Sequence, residues 1–512
     1  MNAALLTLLV GIVCTGLFVR SRSKTRHLPL PPGPKPLPLV GNVLDIPLKQ
    51  MWLAATGWAK QYGDVVYVHV FGVALVFLNT TDAAFDLMEK RGAIYSDKPR
   101  LVMTGELCGC ESMVAFTRYG DKMRRYRRLF QRAFGPASIK TYFPLLEMES
   151  APFLRRLITT PTRYNEHIRR YAGSLVLNVV YGYQVTSNND PNLGLAEECV
   201  DLLANRIASG GGIWPVDVMP FLQYMPDWMP GSGFLRNARI WKAKMQEFVD
   251  KPYEYVKDQM AKGTAVPSFC STLLEQDGKS VDEQAENDIK WAANSMYSAA
   301  GDTTIAAISH FILAMVQHPE VLLKAQQEID TVIGRDRLPS CNDRPNLPYV
   351  EAILHECLRW GVPVPLGLPH RLMEDDVYRD MYIPQGALVF ANIWAMLRDE
   401  KLYPNPDAFY PERFLEKVDE VTERKRDPRN YVFGFGRRRC PGNHLADAST
   451  WLLIACMCAT LDISKAVDDH GNVIEPDVKF ENSVFRGPSP FVCDIRPRSE
   501  QALRLISQDA TE

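Results

Sequence analysis

Residues 433–442 read FGFGRRRCPG, and a helical pattern follows from Asn443 to about Thr460. The glycines at 434 and 436 permit tight backbone turns, so that amide N–H groups can point at one sulfur. Three consecutive arginines and the N-terminus of the following helix add positive potential, which lowers a thiol pKa and favours the thiolate that a metal ion binds. This pattern makes Cys440 a candidate metal ligand. The alternative is a buried structural cysteine in a basic loop.

The composition indicates one large folded body. Of 512 residues, 46% are hydrophobic and 23% charged, enough to bury a sizeable core. The 58 Lys and Arg nearly balance the 60 Asp and Glu, so we expect no nucleic-acid partner. Eleven cysteines without framework spacing favour reduced thiols. Residues 41–512 contain no repeat or Gly/Ser linker, which predicts a single domain.

The periodicity predicts a mostly helical fold with a small sheet near its start. Alternating apolar residues over Val65–Leu78, with Gly72 at the turn, predict an antiparallel hairpin. A long helix is predicted from about Val281 to Gln317, with acidic residues in its first turn and His318-Pro319 at its end. Surface loops are predicted over 186–194, 210–233 and 416–429.

The N-terminus has the pattern of a membrane anchor. Residues 3–19 are 17 uncharged, mostly apolar positions, or roughly 26 Å as a helix. Basic residues follow at once and none precedes (Arg20, Arg22, Lys24 and Arg26), so the downstream chain is expected on the cytosolic side. The alternative, a cleaved signal peptide, needs its basic residues before the apolar run. We therefore predict an anchor with a basic flank over 1–26.

A proline-rich segment over 27–40 predicts a stiff hinge between anchor and body. The sequon at Asn79 would be glycosylated only in a lumenal domain, so we expect it to be unmodified.

The cysteine loop carries a family resemblance. Phe433, Gly436, Arg438, Cys440 and Gly442 match every fixed position of the haem-binding signature of cytochromes P450. The chain resembles that family over essentially its whole length, and within it a fungal membrane-bound, microsomal-type monooxygenase. The resemblance implies a mainly α fold with small β-sheets, haem b as cofactor, Cys440 as its iron ligand and Arg438 at a haem propionate. Thiolate ligation favours O–O cleavage.

A second motif predicts a structural ion pair. Glu356 and Arg359, three residues apart, share one helix face. The family pairs them with the arginine of a Pro-Glu-Arg-Phe segment, here Arg413. His355-Glu356 also begins an H-E-x-x-H zinc pattern, but Arg359 occupies the second histidine position, so the zinc-protease interpretation fails.

The long helix contains a segment that resembles the family's oxygen-activating motif, AAGDTT over 299–304. Ala299 and Thr303, four apart, would share the haem-facing side. The resemblance implies that Thr303 helps hold dioxygen and a proton-donating water, and that Asp302 helps bring protons in. The Ala300-Gly301 order departs from the usual one, and Gly301 suggests a local opening of the helix.

Two more segments resemble propionate-contacting regions. Arg127 matches the arginine of the usual Trp-x-x-x-Arg pattern, but Met123 replaces the tryptophan and removes one N–H donor. Pro369-His370-Arg371 matches the other segment, and either His370 or Arg371 could make the contact. Other arginines near Arg127 are solvent-facing or dock the acidic face of a reductase.

The resemblance implies oxidation of an apolar small molecule (a terpenoid, sterol, polycyclic aromatic, other secondary metabolite or xenobiotic) at the endoplasmic reticulum membrane. No dinucleotide-binding Gly-x-Gly-x-x-Gly follows a predicted strand, so electrons from NADPH must arrive through a separate protein. NADPH-cytochrome P450 reductase is the expected donor, with cytochrome b5 a second candidate. The alternatives are a redox-independent haem-thiolate isomerase or dehydratase and a non-enzymatic haem sensor. Predicted substrate contacts lie near 100–116, 207–220, 296–299, 363–368 and 484–485.

Overall fold

The computed structural model describes residues 28–47, 49–208, 214–275, 281–480 and 484–508. The α-helices are α1 (Met51–Tyr62), α2 (Thr81–Ala84), α3 (Asp121–Phe134), α4 (Phe143–Thr159), α5 (Tyr164–Tyr181), α6 (Pro191–Leu202), α7 (Pro215–Val218), α8 (Gly233–Ala261), α9 (Phe269–Leu274), α10 (Glu283–Gln317), α11 (Pro319–Val332), α12 (Pro348–Gly361), α13 (Ile393–Met396), α14 (Glu420–Arg426), α15 (Arg429–Val432), α16 (Asn443–Thr460) and α17 (Glu500–Gln508). The strands are β1 (Val65–Val70), β2 (Val73–Leu78), β3 (His370–Arg371), β4 (Asp376–Tyr378), β5 (Met381–Ile383), β6 (Leu388–Ala391), β7 (Leu461–Ser464) and β8 (Asp494–Pro497).

The main sheet has the order β1-β2-β6-β3. The predicted hairpin is confirmed: β1 and β2 pair antiparallel, from Val65 opposite Leu78 to Val70 opposite Val73. Phe71 and Gly72 both have positive φ, 48° and 82°, as a two-residue turn between twisted strands requires. β6 joins β2 in parallel and β3 antiparallel, which brings His370 to the sheet from a distant part of the chain.

The long helix α10 forms the centre of the fold. The Asp282 carboxylate accepts from the Ala285 N–H at 2.7 Å and caps its start, and the helix ends at Gln317, as predicted. It packs against α3, α5, α12 and α16. Within the described ranges, α10 is the one helix long and apolar enough to cross a membrane, and most of its apolar stretch is buried in the core. The anchor predicted over 3–19 lies outside the described residues.

A buried ion network joins α12 to the Pro411–Phe414 turn, which confirms the predicted structural role. Glu356 and Arg359 are fully buried and form two hydrogen bonds of 2.7 Å. Arg413 adds its Nε at 3.2 Å from Glu356. The remaining N–H groups of Arg359 donate to backbone carbonyls, including that of Pro406 at 2.7 Å, so the buried charges are hydrogen-bonded as well as paired.

The predicted loops are only partly loops. Helix α6 begins within 186–194, α7 lies within 210–233 and α14 lies within 416–429. The prediction failed because it gave no weight to capping aspartates. Asp190 accepts from the Asn192 N–H at 2.9 Å, and Asp419 accepts from the Val421 N–H at 3.1 Å, so each aspartate supplies a helix start.

The described part of the proline-rich segment is attached to the body. The carbonyl of Pro32 accepts from the Tyr67 N–H at 3.0 Å, and that of Pro29 from the Tyr382 N–H at 2.8 Å. A Cβ on Gly33 would lie 1.9 Å from the Tyr67 carbonyl oxygen. Residues 28–40 therefore form a docked strap against the sheet.

Candidate active site

The cysteine loop closes on itself and against the neighbouring backbone. The Cys440 N–H donates to the Phe433 carbonyl at 2.7 Å. Gly434 and Gly436 have φ of 74° and 53°, in the left-handed region that glycine adopts without penalty. A Cβ on Gly436 would lie 2.3 Å from the Met88 carbonyl oxygen. The backbone path that presents Cys440 therefore depends on glycine at 436.

The sulfur of Cys440 accepts the Gly442 N–H, and the positive charges of Arg127 and Arg439 lower its pKa further. Burial has the larger effect, however, and the pKa of the Cys440 thiol lies above its ordinary value. The prediction that the loop alone ionises this thiol is therefore wrong. A bound metal cation would supply the missing stabilisation of the thiolate.

The middle of α10 and the chain that follows Cys440 both keep solvent-accessible surface. Most residues of 288–298 and all of 306–316 are buried, whereas residues 299–305 keep accessible surface, and Ala299 is exposed. Residues 440–447, in the cysteine loop and the start of the contacting α16, are likewise only half-buried. Two contacting core helices, α10 and α16, thus both keep accessible surface, which leaves room for a bound prosthetic group.

A buried lysine and a half-buried arginine lie close together near the cysteine loop. Arg438 donates to the carbonyls of Ser96 and Thr117, each at 2.7 Å, and burial lowers its pKa to about 10. Lys98 is 5% exposed and donates to the Pro369 carbonyl at 2.9 Å. Burial, followed by the charge of Arg438, lowers the pKa of Lys98 well below its ordinary value.

The carboxylate beside these cations is already engaged. Asp97 accepts two hydrogen bonds from the Arg118 Nε, at 2.8 and 2.9 Å, and one from the Tyr119 N–H at 2.8 Å. Lys98, which is buried, and Arg438, which is half-buried, are therefore two cations whose hydrogen bonds go to backbone carbonyls and a sulfur. Such cations favour an anionic ligand. Lys98 has no distinctive spacing, and sequence reasoning missed it.

The two candidates left open by the sequence separate in space. The His370 Nδ1–H donates to the Tyr95 carbonyl at 2.7 Å, and the ring is buried. Burial, then the charge of Lys98, lowers the pKa of His370 well below its usual value. Arg371 instead reaches Asp97 at 3.4 Å, with a third of its side chain exposed. His370 is thus the member of the pair grouped with Lys98 and Arg438.

Helix α3 contributes one residue to the cation cluster, which consists of Lys98, Arg438 and the neighbouring His370, and another to the surroundings of the Cys440 sulfur. Met123 is buried, with its Sδ 3.0 Å from the Arg438 Nη1. One turn later, Arg127 donates to the Arg439 carbonyl, directly before Cys440. The charge of Arg127 acts on the Cys440 sulfur, so the structure places it closer to the metal-ligand side than a propionate role alone would require.

The segment predicted to take part in oxygen activation, residues 299–304, lies in the accessible part of α10. The Thr303 hydroxyl donates to the Ala299 carbonyl at 3.1 Å, and Asp302 and Thr303 are both half-buried. The expected local opening at Gly301 is not observed, since α10 is continuous from Glu283 to Gln317. A Cβ on Gly301 would meet no atom within 4 Å, so this glycine leaves free surface without breaking the helix.

The sequence matches the family model for cytochrome P450 over residues 31–482. The chain belongs to the cytochrome P450 family. It is similar to the cytochrome P450 monooxygenase claT of Ampulloclitocybe clavipes, at 44% identity over 98% of this chain and 97% of that protein. It is also similar to cytochrome P450 monooxygenase 208 of Postia placenta, at 43% identity over 96% and 95%. A tryptamine 4-monooxygenase of Psilocybe cyanescens is 38% identical over 98% and 100%.

This P450 is a monooxygenase with haem b as its cofactor and electrons supplied by a separate redox partner. The residues fit that group, since the Cys440 thiol has a backbone donor, and Lys98 and Arg438, whose hydrogen bonds go to neutral acceptors, suit propionate carboxylates.

Proposed function

We propose that this P450 oxidises an apolar small molecule, by hydroxylation or a related oxygen insertion, using electrons from NADPH delivered by NADPH-cytochrome P450 reductase. The observation that supports the proposal is the surroundings of Cys440, whose sulfur accepts the Gly442 N–H and lies within reach of the charges of Arg127 and Arg439.

The proposed residue roles follow from these contacts. Cys440 is the thiolate ligand, with the Gly442 N–H directed at its sulfur, while Phe433 and Gly436 hold the loop. Arg438 and Lys98 bind the propionates, with His370 packed beside them, and Arg127 stabilises the negative charge at the ligand. When bound, haem b supplies the activation of dioxygen.

Thr303 and Asp302 control proton delivery. In this structure the Thr303 hydroxyl donates its proton to the Ala299 carbonyl, so its oxygen lone pairs face the accessible space. A water beside Thr303 can donate one hydrogen bond to the Thr303 oxygen and pass its other proton inward, and the neighbouring Asp302 supplies the replacement proton. Ala299 leaves room because its side chain is a single methyl.

The proposed substrate is apolar. Half-buried apolar side chains occur in the segments predicted to contact it, including Phe116, Met296 and Leu366. Such walls bind mainly by shape and exclusion of water. Terpenoids, sterols and polycyclic aromatics therefore form the test panel, with tryptamine added because one relative is a tryptamine 4-monooxygenase.

The proposed redox face is the outer surface of α3. Arg124, Arg128 and Arg132 are exposed and four residues apart, so they form one positive stripe. The same helix carries Arg127 to the backbone beside Cys440. An acidic partner surface on this stripe would lie one helix away from the haem ligand, which suits NADPH-cytochrome P450 reductase and, as a second donor, cytochrome b5.

We further propose a single-pass anchor over residues 1–26 in the endoplasmic reticulum membrane, with the body in the cytosol. In support, the Asn79 side chain is 5% exposed and accepts from the Asn392 amide at 2.8 Å, so a glycan would not fit the folded site. Treatment of the membrane-bound protein with a glycosidase should leave its mass unchanged, and a mass decrease would reverse the topology.

The deciding experiment uses the full chain in membranes with a matched reductase. The reduced protein with carbon monoxide should show a thiolate-type Soret shift that Cys440→Ser abolishes, while Cys493→Ser, the other half-buried thiol, retains it. Oxygenated product from the panel should require both NADPH and reductase. Product formed without NADPH would indicate an isomerase or dehydratase, and a normal spectrum without any turnover would indicate a sensor.

A further inference from the structure

A surface cleft of about 350 Å³ lies between the end of α4 and the start of α5. Its walls carry four arginines (Arg155, Arg156, Arg163 and Arg170). None of the residues that line it belongs to the haem site. The cleft is large enough for a small ligand, since small-molecule sites begin at about 300 Å³.

Carboxylates neutralise little of this positive charge. Arg163 pairs with Glu166, Nε to Oε1 at 2.9 Å. In the part of the chain that the structure describes, no carboxylate lies within ion-pair distance of Arg155, Arg156 or Arg170. Arg155 donates to the Ile506 carbonyl at 3.2 Å, a neutral acceptor.

Arg170 likewise uses neutral acceptors, the Asn188 Oδ1 at 2.9 Å and the Thr186 carbonyl at 2.8 Å. Glu149 acts on Arg156 and Arg170 only through space, and burial raises the pKa of its carboxyl. The three guanidinium groups therefore repel one another with little compensation inside the chain.

Arg156 shows the strongest sign of a missing partner. Its Nε is buried and has no hydrogen-bond acceptor. Burial, followed by the charge of Arg170, lowers the pKa of Arg156 to about 10. A buried, unpaired N–H of a charged group costs free energy, and an anion in the cleft would remove both that cost and the repulsion.

We propose that this cleft binds a phosphate-class dianion, either a free phosphorylated small molecule or a phosphomonoester headgroup of a lipid. Planar guanidinium groups bind phosphate oxygens through paired N–H bonds. The start of α5, which carries Arg163, His167 and Arg170 to the cleft, adds favourable positive potential. The cleft is a second ligand site on the enzyme, separate from the oxidation chemistry.

The test uses the full-length haem protein and calorimetric titration with pyrophosphate and with inorganic phosphate. Saturable binding is expected for the wild type. Arg156→Gln and Arg170→Gln should each weaken it at least about tenfold, because a charge-assisted hydrogen bond contributes about 1.5–3 kcal/mol. Arg169→Gln is the matched control, since Arg169 is exposed on the same helix and does not line the cleft; its affinity should stay at the wild-type level.

A second readout separates an anion site from a structural role. Without ligand, Arg156→Gln should melt at or above the wild-type temperature, because it removes unpaired positive charge. If that variant does not fold, Arg170→Gln, which is nearer the surface, provides the same comparison.

Vesicles distinguish the two sources of the dianion. Binding to phosphatidylcholine vesicles, measured with and without phosphatidic acid, should show a phosphatidic-acid increment that Arg156→Gln and Arg170→Gln abolish if the source is a lipid. Binding of pyrophosphate alone supports a soluble ligand. If neither pyrophosphate, phosphate nor phosphatidic acid binds in a manner that depends on Arg156 or Arg170, the proposal is overturned.

Discussion

Arg438 and Met123 are in contact, with the Arg438 Nη1 3.0 Å from the Met123 Sδ. They come from segments 315 residues apart, yet both belong to the group of side chains around Lys98 and Arg438. The methionine stands where the family usually has a tryptophan. A thioether is a weak acceptor and no donor, so here it supports the arginine and offers no N–H to a haem propionate.

Met123→Trp should slow haem release. The indole N–H adds a donor to a carboxylate, which is worth about 1.5–3 kcal/mol, although overpacking of this buried position costs stability of about 1–3 kcal/mol. Transfer of haem to apomyoglobin measures the release rate, and urea unfolding measures stability. Met123→Leu keeps the volume without a donor and should release haem at the wild-type rate; equal rates in both variants would refute the argument.

Thr303→Ala should uncouple NADPH consumption from oxidation. Positioned proton transfer contributes about 10²–10⁴-fold, so product per NADPH should fall at least about tenfold while NADPH consumption continues. The measurement compares product with NADPH consumed in the reconstituted system. Thr303→Ser keeps the hydroxyl and should remain largely coupled. Unchanged coupling in the alanine variant would remove the role assigned to this residue.

Arg359→Ala should destabilise the protein strongly, because it leaves Glu356 charged and fully buried. Removal of one partner from a buried pair costs about 3–5 kcal/mol, measured as the free energy of unfolding in urea. Lys324→Ala is the control. It breaks the pair between Lys324 and Glu412, whose lysine side chain is half exposed, and should cost about 0–1 kcal/mol. Similar losses in both variants would contradict the structural role.

Gly436→Ala should prevent normal haem loading. Its left-handed φ alone costs alanine about 1–2 kcal/mol, and its Cβ would collide with the Met88 carbonyl, a backbone atom that cannot easily move. Gly57→Ala is the comparison, because Gly57 is exposed on α1, away from the cysteine loop, and a Cβ there meets no atom within 4 Å. Haem absorbance per mole of purified protein should fall only in the first variant.

His310 should make stability depend on pH. Burial, then the charge of Arg486, lowers its pKa to about 3, while an unfolded histidine titrates near 6.5. Below about pH 6.5 the unfolded chain therefore binds a proton that the folded protein excludes, and stability falls as pH falls towards 3. From pH 6.5 to 5 the loss is about 2 kcal/mol for this group.

The free energy of unfolding, measured in urea at several pH values between 5 and 6.5, should fall less steeply with decreasing pH in His310→Asn than in wild type. His470→Asn, at an exposed turn, should leave the slope unchanged. An identical slope in all three proteins would show that His310 accepts a proton without unfolding.

Local patterns in the sequence determined several secondary-structure elements and the candidate metal ligand Cys440. The hairpin at Val65–Leu78, the helix ending at Gln317 and the loop around Cys440 depend on residues within one or two turns of each other, so spacing and capping suffice to predict them. The ion pair of Glu356 with Arg359 was predictable for the same reason, since residues three apart on a helix share a face.

Only the tertiary structure decided the environment of those groups. Lys98 joined Arg438 at the cation cluster, His370 rather than Arg371 turned towards it, and the arginines of α4 and α5 met in one cleft. Burial also reversed the expected direction of the Cys440 pKa. Desolvation and contacts such as Arg438 to Ser96, which spans 342 residues, arise from how distant segments pack, and no local spacing encodes that packing.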